Sequence, residues 1–90
     1  MAEELIGTVS DFFARPSVAG VELHGAIKVG DKIRFKGHTT NLDIEISSMQ
    51  INNSFVQEAG AGDSVGIKVP DRVRKGDQVY KITSDMAAAI

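Results

Sequence analysis

Two histidines, His24 and His38, are the side chains in this sequence that ordinarily move a proton near neutral pH, and the lack of cysteine removes all thiolate chemistry. Neither histidine stands beside a serine in a nucleophile elbow, so covalent hydrolase chemistry is not expected. His24, in Glu22-Leu23-His24-Gly25, reads as a strand end entering a turn, and the sequence offers it no neighbouring metal ligands. His38 stands in the polar run Thr39, Thr40 and Asn41, which either meets a partner from an exposed tip or simply makes the turn. Asp43 and Glu45 share a face, as acid/base pairs do, but basic residues stand ready to neutralise them. No glycine-rich loop ends in Lys followed by Ser or Thr, so the chain is not expected to bind a nucleotide by itself. Gly60-Ala61-Gly62-Asp63-Ser64-Val65 opens like a dinucleotide fingerprint, yet valine replaces the third glycine and no helix follows. Asn52-Asn53-Ser54 is formally a glycosylation sequon, without a secretory signal to give it meaning. No cofactor or metal is expected.

Binding chemistry is better represented. Lys28, Lys32, Arg34, Lys36 and His38 crowd a stretch whose one acid is Asp31, and Arg72, Arg74 and Lys75 form a second basic cluster. Such clusters attract phosphates, although the net charge of -2 removes any global attraction to nucleic acid. A reader of RNA also needs stacking surfaces, and the aromatics are Phe12, Phe13, Phe35, Phe55 and Tyr80. Alternation turns Phe35 inward, leaving Phe12 and Phe13, on a loop before Arg15, as the expected exposed pair. The competing reading is a solvated charged face above core phenylalanines.

The elements that must position these groups are strands. Lys32, Arg34 and Lys36 alternate with Ile33 and Phe35; Leu42, Ile44 and Ile46 alternate with Asp43 and Glu45. Gly37-His38-Thr39-Thr40-Asn41 joins the two runs as a hairpin. Setting Lys36 against Asp43 also sets Arg34 against Glu45, Phe35 against Ile44 and Ile33 against Ile46. Each such cross-strand pair contributes about 0.2 to 1 kcal/mol, and a one-residue slip would put charges in the core. Leu5 to Val9, Ser17 to Leu23, Ser48 to Ile51, Val65 to Val69 and Gln78 to Thr83 are further expected strands. Gly30-Asp31, Gly62-Asp63 and Gly76-Asp77 each precede a β-branched strand residue by two positions, marking three similar corners.

Ninety residues, 42% hydrophobic, make one small domain, expected over residues 1–84 with a fraying tail at 85–90. Six or seven short strands in that length predict an all-β fold, a small closed antiparallel barrel. No apolar run approaches the roughly 20 residues needed to cross a bilayer. With an acidic N-terminus and no cysteine, the expected setting is cytoplasmic, away from membranes.

The ordered set Gly20 to Ile33, Ser48-Met49-Gln50-Ile51, Glu58 to Ile67 and Val73 to Asp77 resembles the second domain of the translational GTPases, such as elongation factor Tu. The resemblance runs from about Ile6 to Ile82. More narrowly, the chain looks like stand-alone prokaryotic proteins labelled translation elongation factor-like; a similar barrel ends the collagenase-like peptidases that act with RNA modification. The resemblance implies a site for the terminal adenosine of aminoacyl-tRNA, with Gln50 at a glutamate position and Arg15 at an arginine position. On this basis the expected protein is a non-catalytic, translation-associated module. Its ligand would be tRNA, rRNA, a translation factor or another protein. The expected contacts are Phe12, Arg15, Gln50 and the tip His38 to Asn41, with Lys32, Arg34 and Lys36 attracting phosphate. The alternative is an interaction subunit that completes a GTPase or a collagenase-like peptidase in trans.

Overall fold

The computed structural model describes residues 2–15 and 17–83; the tail expected at 85–90 lies outside them. Ten antiparallel strands follow one another among the described residues. They are β1 (Ala2–Phe13), β2 (Val18–Leu23), β3 (Ile27–Lys28), β4 (Lys32–Lys36) and β5 (Asn41–Glu45), then β6 (Met49–Ile51), β7 (Ser54–Val56), β8 (Glu58–Ala59), β9 (Ser64–Lys68) and β10 (Gln78–Thr83). Period-two patterning drives them: Ala19, Val21 and Leu23 of β2, Ile33 and Phe35 of β4, and Val65 and Ile67 of β9 are all buried, while their neighbours face outward. These side chains meet in one core with Ile6, Val9, Ile46, Met49, Val69, Val73 and Val79.

The expected closed barrel is corrected. The main sheet has eight strands in the order β5-β4-β10-β1-β2-β9-β6-β7 and leaves β5 and β7 as unjoined ends, with β3 and β8 forming a separate two-stranded ladder. The physical reason lies in the partners available to the ends. Beyond β5, Ile46 exchanges hydrogen bonds of 2.9 Å with Gly30 and Asp31, and Val29 donates to the Gln57 carbonyl beyond β7 at 2.9 Å. Loop backbone therefore satisfies groups that a closing strand would have paired.

Two local differences matter for the surface. β1 runs to Phe13, well past the expected Val9, and carries register shifts between Leu5 and Gly7 and between Val9 and Asp11. Such bulges let Ile6 and Val9, three apart, both turn inward. The hairpin pairs Lys32 with Glu45, Ile33 with Ile44, Arg34 with Asp43, Phe35 with Leu42 and Lys36 with Asn41, two residues from the expected register. A two-residue slip keeps every side chain on its face and keeps Arg34 opposite an acid, so alternation cannot detect it.

The three Gly-Asp corners are alike. Gly30, Gly62 and Gly76 have φ of 98°, 92° and 95°, the left-handed backbone that a type II turn demands at its third residue. In each, the aspartate carboxylate accepts the N–H three residues back: Lys28 at 3.0 Å, Gly60 at 2.9 Å and Arg74 at 2.8 Å.

Candidate functional site

Arg15 and Gln50, distant in sequence, line one groove of about 590 Å³ together with Ser10, Phe13, Asn52 and Asn53. Its floor is set by ladder register. Asp11 of β1 faces Gly20 of β2, Gly20 faces Gly66 of β9, Gly66 faces Gln50 of β6, and Gln50 faces Phe55 of β7. Two adjacent glycines thus leave bare backbone in the middle of a five-strand row. Asn52 and Asn53, at φ of 51° and 65°, form the two-residue turn between β6 and β7 and bring two side-chain amides to the rim. The two phenyl rings at this surface are well exposed, Phe13 at 50% and Phe55 at 72%. Phe55 lines a second depression that shares Val18, Gln50 and Gly66 with the groove.

The other expected contacts are placed elsewhere. Phe12 lies on β1, half-buried and packed against the core, so it is not the exposed stacking ring expected of it. Thr40 is also buried; its carbonyl accepts the Gly37 N–H at 2.9 Å, which leaves His38, Thr39 and Asn41 as the exposed residues of the tip. None of these residues lines the Arg15–Gln50 groove. His24 is exposed and its backbone N–H donates to the Ile6 carbonyl at 2.6 Å. Among the described residues no group of three or more His, Asp and Glu could hold a metal ion.

Arg34, at the centre of the basic face of β4, is neutralised by its neighbours. Arg34 donates to Asp43 through Nε at 2.6 Å and Nη2 at 2.9 Å, and it pairs with Glu3 as well. Lys36 lies 4.0 Å from Glu3 and 5.7 Å from the Tyr80 ring centre, and Lys32 faces Glu45 across the ladder. The hydrogen bond with Asp43 holds the Arg34 guanidinium above its ordinary pKa, and the same bond holds the Asp43 carboxyl below the usual carboxylate value. At the centre of the row expected to attract phosphate stands a fork-shaped ion pair, with Lys32 and Lys36 exposed on either side of it.

Sequence reasoning missed Phe55, Asn52, Asn53 and both floor glycines as site residues. Signals existed: Gly20 and Gly66 each interrupt a β-branched strand, a mark of close approach by another group, and Asn-Asn suits a tight hairpin turn.

No family model matches the chain. An uncharacterized protease from Methanocaldococcus jannaschii is 45% identical over 76 residues, 83% of this chain and 19% of that protein. A collagenase from Porphyromonas gingivalis is 30% identical over 78 residues, 84% of this chain and 22% of the collagenase. The chain therefore spans about a fifth of the length of these curated relatives. The C-terminal domain of a putative U32 peptidase from Geobacillus thermoleovorans superposes with a TM-score of 0.82 at 19% identity, covering 89% of this chain and 93% of that domain. GDP-bound aIF5B from Aeropyrum pernix superposes with a TM-score of 0.64 at 19% identity, over 96% of this chain and 15% of that one. At such identities these two likenesses show the shared fold alone.

Two expectations are overturned here. The chain was expected to be a translation-associated, RNA-binding module and to lie outside the enzymes. The relatives named protease and collagenase instead point to a peptidase-type enzyme family, and the translation-factor likeness extends to the fold only. No helix among the described residues is long and apolar enough to cross a membrane.

Proposed function

We propose that the chain serves as the C-terminal-type β domain of a U32-peptidase-like enzyme, completing a larger catalytic polypeptide. The observation that carries this reading is the 45% identity to the protease from M. jannaschii, confined to 19% of that protein. Most of such an enzyme lies beyond the matched stretch, so the domain works beside it, whether in the same polypeptide or in trans. The architecture supports the assignment, because the solved C-terminal domain it resembles is covered over 93% of its length. The exposed Phe13 and Phe55 support it too, since large exposed apolar side chains near a groove mark a surface that meets another molecule.

The test uses native cells. An antibody against this domain, applied to a nuclease-treated lysate, is expected to detect the domain within a peptidase-sized polypeptide or to recover a stoichiometric U32-peptidase-type subunit. Recovery of ribosomes or tRNA with no such polypeptide would overturn the reading.

A further inference from the structure

The floor of the Arg15–Gln50 groove asks for an explanation that the fold does not supply. A Cβ at Gly66 would come within 2.9 Å of Val18 Cγ1, so packing accounts for that glycine. Gly20 differs: a Cβ there would meet Asp11 Cβ and Ser10 Oγ at an ordinary 3.5 Å, and its φ is not positive. A strand-interior glycine is destabilising relative to alanine, and neither sterics nor backbone conformation requires it here. What Gly20 supplies is open floor. From Asp11 to Gln50 the row crosses three strand spacings, about 14 Å, with no side chain on the two middle strands.

The walls say what the floor accepts. Two cations, Arg15 in the groove and Lys68 in the depression beside Phe55, stand against one carboxylate, that of Asp11 at the β1 end of the row. Gln50, Asn52 and Asn53 offer both donors and acceptors of the kind a peptide backbone pairs with. Phe13 on the groove and Phe55 on the adjoining depression offer apolar surface to bulky side chains. A nucleic-acid strand would instead need a track of cations along its phosphates, and the residues that resembled one are tied up at Arg34 by Asp43 and Glu3.

We propose that this groove binds an extended peptide segment carrying a carboxylate and bulky apolar side chains, the substrate class of the enzyme this domain completes. The role as substrate rests on the function proposed above; the binding rests on the groove alone.

The test is fluorescence anisotropy on the full chain with three labelled probes: the peptide Gly-Phe-Glu-Phe-Glu-Gly, its lysine counterpart Gly-Phe-Lys-Phe-Lys-Gly, and a short single-stranded oligo(A). The glutamate peptide is expected to bind saturably and more tightly than the other two. Arg15→Gln should weaken it about fivefold, the size of one exposed charge contact, and Phe55→Ala about threefold to tenfold. Gly20→Val, which fills the floor, should weaken it most while leaving the circular dichroism spectrum intact; Gly20→Ala serves if the valine variant does not fold. Equal binding of the two peptides, tighter binding of oligo(A), no binding of any probe, or an indifferent floor variant would each overturn the proposal. Peptide binding without any peptidase-type polypeptide in the lysate would sink the proposed function and leave the groove standing.

Discussion

Arg34 and Asp43 face each other across the β4–β5 hairpin through two hydrogen bonds of 2.6 and 2.9 Å, a fork-to-fork pair on the outer face of the sheet. The Asp43 carboxyl is held below its ordinary value of 3.8, so the folded state binds that proton less readily than the unfolded chain does. The resulting stabilisation is fully present above the unfolded value and is lost as pH falls through the lower folded value. With 52% of the Asp43 side chain exposed, solvent screening keeps the effect small. Urea midpoints of Asp43→Asn and the parent chain should therefore differ above the ordinary value of 3.8 and converge progressively as pH falls below it and through the lower folded value. The gap should also shrink in about 1 M salt, where screening is nearly complete within a few ångström. A gap that grows on acidification would show that Asp43 acts in some other way.

The sequence spelled out the faces of this hairpin and not its register. Ile33 and Phe35 are inward as alternation requires, but slipping by two preserves both the apolar face and the acid opposite Arg34. Turn chemistry was equally readable: Gly30, Gly62 and Gly76 take the left-handed backbone, and the following aspartates bond as expected. Closure was not readable, because it depends on whether the outer groups near Ile46 and Gln57 meet a strand or a loop, and the pairing is with Gly30, Asp31 and Val29. Of the site, Arg15 and Gln50 do share a groove. Phe12 was misjudged because β1 continues beyond Val9 and carries it against the core.

Glycines at different places in this fold are required for different reasons, and their alanine variants should separate them. A Cβ on Gly7 would lie 2.7 Å from the Glu22 carbonyl oxygen and 2.9 Å from Val21 Cγ1, so backbone must move. A Cβ on Gly62 meets nothing within 4 Å, and the cost there is the φ of 92° alone. Gly7→Ala should cost about 1 to 3 kcal/mol through overpacking. Gly62→Ala should cost about 1 to 2 kcal/mol through left-handed backbone strain. A crystal structure would tell them apart: β1 and β2 spread near residue 7 in the first variant and stay put in the second. Unmoved strands in Gly7→Ala would refute the steric account.

Asp77 ties three segments together. Its carboxylate accepts the Arg74 N–H at 2.8 Å, its carbonyl accepts the Val9 N–H at 2.8 Å, and it is 5% exposed. Gly37 packs so close that a Cβ there would overlap the carboxylate. Asp77→Ala leaves a partly buried N–H without its acceptor and should lower stability by about 1 to 3 kcal/mol in urea unfolding. Asp77→Asn keeps an acceptor oxygen and should recover most of that loss. Equal losses from both substitutions would mean that the negative charge, and not the hydrogen bond, is what the corner needs.

Register can be tested directly, because the chain contains no cysteine to interfere. Lys32 and Glu45 are directly opposed on the outer face, whereas Arg34 and Glu45, or Lys36 and Asp43, are diagonal neighbours. Directly opposed strand residues bring Cα atoms to about 4.5 to 5.5 Å, within reach of a disulfide, while diagonal partners lie about 7 to 8 Å apart, beyond it. Lys32→Cys with Glu45→Cys should oxidise to an intramolecular disulfide that mass spectrometry detects as a loss of two hydrogens. Arg34→Cys with Glu45→Cys should remain reduced or form dimers under the same conditions. The reverse outcome would restore the register set by pairing Lys36 with Asp43, shift Arg34 away from Asp43, and remove the basis for the acid-dependent stability argued from that pair.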